Sequence, residues 1–128
     1  MGAWGSGPFE NDGAGDLLAE IGDGSFSFDE IVWAFEDDDY LEVDGGQMAI
    51  ALAELVIVVR EQKPVAYEGI DLAAFQGMLN PERIQWIHDQ AVRATSDSDA
   101  SELYELWEDA GDLDNWLLPA RATIAKLL

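Results

Sequence analysis

The chain has 128 residues, enough for one domain with a buried core. Its 27 acids against six lysines and arginines give a formal net charge of −21, yet 48% of the residues are hydrophobic, as in an ordinary folded protein. Such a charge repels DNA, RNA and anionic membranes and attracts a basic protein surface or cations; solubility or adaptation to salt is the plain alternative.

There is no cysteine, which excludes disulfides and thiolate metal sites. The opening MGAWGSGPFEND has neither the basic region nor the apolar run of a secretory signal. The apolar run 48–59 is shorter than the roughly 20 residues a membrane-spanning helix needs. The expectation is a soluble, cytoplasmic protein with no nucleic-acid or membrane partner.

Residues 1–11 hold Gly2, Gly5, Gly7 and Pro8, with Trp4 and Phe9 between them. Glycine and proline oppose a helix here, and the aromatics gain by burial. The segment reads as extended and docked on the core. Asn11 or Asp12 then caps a helix over 12–21 with Ala14, Leu17, Leu18 and Ile21 inward, ended by Gly22 and Gly24. Ser27 and Glu30 have the spacing of a capping box, with Phe26 placed to staple onto Ile31. The stripe of that second helix is Phe28, Ile31, Val32 and Phe35.

The four acids 36–39 disfavour continuation of the helix at its negative end. Counted as a calcium loop from Asp37, the sequence puts Leu41 at position 5, Glu42 at 6 and Met48 at 12, where oxygen, glycine and glutamate are needed. Asp97, Asp99, Ser101 and Glu108 fit positions 1, 3, 5 and 12 better, but Glu102 replaces the glycine, and a helix cap at Ser98 or Asp99 is the simpler reading. No metal site is assigned.

QMAIALAELVIVVR, residues 47–60, is apolar on nearly every side and reads as the central helix, opened by Asp44-Gly45-Gly46 and closed by Lys63-Pro64. The run LVIVV has strand character, but no comparable second strand exists to pair with it. After a connector over 65–69, Asp71 can cap a short helix with Leu72, Phe75 and Leu79. Asn80-Pro81-Glu82 starts another, running to Thr95 with Ile84, Ile87, Ala91 and Val92 inward and His88 beside them. A helix over 101–110 buries Leu103, Leu106, Trp107 and Ala110 before Gly111. Asp112 or Asp114 caps the last, with Leu113, Trp116, Leu117, Ala120, Ile124, Leu127 and Leu128 on one side and Pro119 either kinking or splitting it. The result is an all-α single domain over 1–128, six to seven short helices around the apolar one. Trp4, Trp33, Trp86, Trp107 and Trp116 are core candidates.

The opening MGAWGSGPFENDGAGDLL resembles that of the bacterial domain-of-unknown-function 4259 family, on Gly2, Trp4, Gly5, Gly7, Phe9, Asn11, Asp12, Ala14 and Asp16. Tyr40-Leu41-Glu42, the run ending Ala53-Glu54-Leu55-Val56, and Ser101 to Glu108 with Trp116 extend the likeness over nearly the whole chain. The resemblance implies an all-α bacterial protein and no activity. Gly13 and Gly15 stand where the family prefers helix formers, which should fray the first helix. Pro119 interrupts a normally clean final one.

Glu54 is the only charge inside the central run. With few cations available, its carboxylate needs hydrogen-bond donors, which the Trp4–Gly7 stretch and the Trp4 indole could supply. Asn11 and Asp12 would lie close by. The binding candidates are therefore Trp4, Asn11, Asp12, Glu54 and His88, with no catalytic residue and no cofactor assigned. A lone histidine on an apolar face is more often structural than catalytic. The leading expectation is a non-catalytic acidic helical module of the adaptor or immunity type that binds a basic protein surface. The alternatives are an enzyme or small-ligand site built on Glu54, His88, Asn11 and Asp12, and a divalent-cation-binding or halotolerant housekeeping protein.

Overall fold

The computed structural model describes residues 5–62 and 72–128. Within them lie seven α-helices: α1 (Asp12–Asp23), α2 (Phe28–Ile31), α3 (Val43–Glu61), α4 (Ala73–Met78), α5 (Pro81–Ala94), α6 (Glu102–Asp109) and α7 (Leu113–Ala125). A 3-10 turn over Val32–Phe35 continues α2. The fold is all-α, as the periodicity predicts. Trp4, the Lys63-Pro64 stop, the 65–69 connector and the Asp71 cap lie outside the described residues.

The central helix is longer than expected. α3 begins at Val43, so Asp44, Gly45 and Gly46 form its first turn rather than a lead-in. Close packing explains the glycines. A Cβ on Gly45 would lie 2.7 Å from Leu41 Cδ1 and 2.8 Å from the Ala34 carbonyl, and one on Gly46 would lie 3.0 Å from Leu103 Cβ. α3 packs on α1, α5, α6, α7 and the 3-10 turn. Leu52 and Leu55 are fully buried, each contributing about 1.5–3 kcal/mol relative to exposure.

Glu42, the residue before α3, supplies no side-chain cap. Instead Glu102 of α6 accepts the Val43 N–H at 2.8 Å, setting a carboxylate at the positive end of α3. Beside it Leu41 and Ser101 form an isolated parallel bridge, with Leu41 N–H donating to the Ala100 carbonyl at 2.8 Å and Glu102 N–H to the Leu41 carbonyl at 2.9 Å. The starts of two helices distant in sequence are thus held together. Ser101, fully buried, is the cap of α6; the expected Ser98 or Asp99 is not. Asp97 accepts the Ala100 N–H at 2.9 Å, which shapes the preceding turn.

α1 forms from Asp12 to Asp23 despite its glycines, capped by Asn11, whose Oδ1 accepts the Ala14 N–H at 2.8 Å. Gly24, at φ 82°, ends it. Gly13 is buried and donates its N–H to Gln47 Oε1 at 3.0 Å, which ties α1 to α3. Pro119 neither splits α7 nor ends it; the helix continues through to Ala125.

Several side chains expected in the core are outside it: Val32, Trp33, Val92 and Leu128 are exposed, as is Ala110. Val92 follows Ala91 by one residue, about 100° around the helix and away from Ala94. The 3-10 turn packs mainly on α2 and α3, so only a narrow stripe of it is covered. Trp33 lies opposite that stripe. Trp107 and Trp116 are buried and stacked at 6.4 Å, whereas Trp86 is partly buried, edge-on to Phe35 at 4.9 Å.

Candidate functional site

The fate of the cations defines the surface. Arg60 donates to the Lys126 carbonyl at 3.1 Å, Arg83 to Met78 at 2.7 Å, and Arg121 to Thr95 at 3.0 Å. Arg93 donates to the carbonyls of Phe35 and Asp37 and to Gln90 Oε1. These carbonyls lie at or just beyond helix ends, where acceptors lack intrahelical partners and cations are favoured. Arg83 also stands 4.7 Å over the Phe28 ring. The arginines therefore lock helix ends, and among the described residues none bridges to a carboxylate. Most of the acids thus have no arginine partner among the described residues.

On α1, Asp12, Asp16 and Glu20 recur every four residues and so share one face. The face borders a groove of about 230 Å³ that also takes in Glu30 of α2 and Asp44 of α3. Trp33, 58% exposed, and Met48 provide apolar surface in the same groove. Trp33 also lines an adjoining recess with Asp37, Tyr40 and Glu42. Burial, and then the charges of Glu30, Asp23 and Asp16, push the Glu20 carboxyl above its ordinary value. Like charges are thus crowded here around an exposed indole.

Glu54 occupies a different place. It is half-buried, and its Oε2 accepts the Thr123 hydroxyl of α7 at 2.9 Å, a partner 69 residues away. The carboxylate borders a recess of about 190 Å³ lined by Ser6, Pro8, Ile50, Ala53, Trp116 and Ala120. Ser6 and Pro8 thus come near Glu54, while Trp4 is outside the described residues.

The other sequence candidates are dispersed. Asn11 is spent as the α1 cap, and Asp12 is exposed on the acidic groove. His88 is half-buried, with Nδ1 3.2 Å from Asp89 Oδ1. No hydrogen bond joins Glu54 and His88: among the described residues the Glu54 carboxylate has Thr123 as its partner and His88 has Asp89. In the 36–39 run, Asp37 Oδ1 accepts the N–H groups of Asp39 at 2.9 Å and Tyr40 at 3.2 Å, closing a local turn. Among the described residues no group of three or more His, Cys, Asp or Glu side chains is placed to hold a metal ion.

Sequence reasoning assigned Asp16, Glu30, Trp33 and Asp44 other roles (family motif, capping box, core and helix start) and Glu20 and Thr123 none; it placed none of the six in a site. The fourfold spacing of Asp12, Asp16 and Glu20 was a readable signal. Thr123 carried none, because its role depends on how α7 lies against α3.

The fold and surface define a small all-α protein with an acidic groove and a separate carboxylate-bearing recess, and none of its described helices is long and apolar enough to cross a membrane. Residues 2–118 match the model of a family described as domain of unknown function (DUF4259), and the chain belongs to that family. Comparison with curated proteins and with solved structures found no match.

Proposed function

We propose that this chain is a non-catalytic protein-binding module, of the adaptor or immunity kind, that takes a basic protein surface in the groove between α1, α2 and the start of α3. The observation that carries the reading is the set of carboxylates, Asp16, Glu20, Glu30 and Asp44, that line one groove with exposed Trp33 and have no cation bridged to them among the described residues. A lysine or arginine entering the groove would meet carboxylates and an indole face, which together favour a cation. The commitment of the arginines to backbone carbonyls supports it further, since no internal guanidinium among the described residues competes for these acids. In this reading the protein works inside the cell, masking a partner's positive surface.

The test is capture from an extract of the native host on immobilised protein at low salt, followed by stepwise salt elution and mass spectrometry. Raising salt from about 0.1 M to 1 M shortens the screening length from ~10 Å to ~3 Å. A basic protein retained at low salt and released across that range is the expected result. Retention of nothing basic, or retention indifferent to salt, overturns the proposal.

A further inference from the structure

The acidic groove leaves the single charge within the central run of α3 unused. Glu54 is flanked by Ala53 and Leu55, 1% and 0% exposed, yet its carboxylate faces the recess between α3 and α7. Thr123 orients Oε2. Among the described residues nothing donates to Oε1, and no cation pairs with the group. Arg60 and Arg121, the arginines on α3 and α7, give their guanidinium groups to carbonyls elsewhere.

We infer that this recess binds a small organic ammonium ion, with the ammonium on Glu54 Oε1 and the hydrocarbon against Ile50 and Trp116. The chemistry of the walls selects the class. An anion would be repelled by the carboxylate. A neutral molecule would leave that charge unmatched in a largely apolar recess. A divalent metal ion needs several oxygens, preferably charged ones, and here it meets one carboxylate, with Ser6 and Thr123 as the only hydroxyl-bearing residues in the lining. An ammonium on a short hydrocarbon chain satisfies both parts of the lining. The volume of about 190 Å³ gives room for a short hydrocarbon chain beside the carboxylate.

Calorimetric titration with n-pentylammonium at about 0.15 M salt tests this. The control ligands are n-pentanol and pentanoate. The Glu54→Gln variant keeps an oxygen for the Thr123 hydroxyl while removing the charge. Expected is saturable binding of n-pentylammonium, weakened about tenfold or more in E54Q and for either control ligand. The groove variant D16N/E20Q/E30Q should stay within about twofold of the parent, because its lost charges lie at another site. Should E54Q melt early, Ala120→Leu, which fills the recess and leaves the carboxylate, must abolish binding instead. No saturable binding at millimolar ligand, equal binding by folded E54Q, or equal loss in the groove variant would overturn the inference. The last outcome would mean diffuse attraction to a negative protein.

Discussion

Replacing Ser101 with alanine removes one oxygen and should cost far more than its size implies. The hydroxyl accepts the Tyr104 N–H at 3.2 Å as the cap of α6 and donates to the Ala94 carbonyl at 2.8 Å. Losing an N-cap costs about 1 kcal/mol. Removing the donor to Ala94 in a fully buried site adds about 1–2 kcal/mol, because no water replaces it. The sum is about 2–3 kcal/mol. Urea unfolding followed by tryptophan fluorescence would report it as a midpoint about 1 M lower, taking a slope of ~2 kcal/mol/M, with the slope itself unchanged. Ser98→Ala, three residues earlier, should stay within about 0.5 kcal/mol of the parent. A Ser101→Ala variant as stable as the parent, or a Ser98→Ala variant equally damaged, would refute this account of how α6 begins.

The glycines of α1 should respond with opposite signs. Gly15→Ala finds open space and should stabilise by about 0.5–1 kcal/mol, whereas Gly13→Ala would place its Cβ 2.7 Å from Gln47 and should destabilise by about 1–3 kcal/mol; thermal melts of both variants decide it. Glu20→Gln should raise the melting temperature at pH 7. The Glu20 pKa is raised in the folded state, so the folded chain holds that proton more tightly and gains stability as pH falls. The advantage of Glu20→Gln should therefore shrink as pH drops through the raised pKa toward the ordinary 4.5, and melts across pH 8 to 4 that show a constant difference would refute the crowding described for the groove.

Much of the fold was legible because local chemistry and tertiary packing agree. Asn80 caps α5 with Pro81 in its first turn, and Ala14, Leu17, Leu18 and Ile21 are all buried, as their spacing requires. Departures arise where a distant segment decides the outcome. Gly45 and Gly46 look like a break, but they admit Leu41, Ala34 and Leu103 against α3. Ser101 rather than Ser98 caps α6, beside a bridge that joins it to Leu41. Trp33 was a core candidate by residue type, although its own helix put it opposite the buried stripe. Glu54 stood out as an isolated charge, but its hydrogen-bond partner lies on α7. The acidic groove was half-legible: α1 carries three of its acids at one spacing, while Glu30 and Asp44 join them only through the packing of α1, α2 and α3.

A charge-matched comparison tests the central claim most directly. D16N/E20Q/E30Q removes three carboxylates from the groove, and E105Q/E108Q/D109N removes three from α6, so both variants have the same net charge. Each would be immobilised and its capture of basic proteins from host extract quantified against the parent protein. The account predicts that the α6 variant retains the parent's basic partner and the groove variant loses it. Equal retention by both variants, or equal loss, would contradict it, because the charge alone and not its arrangement around Trp33 would then govern binding.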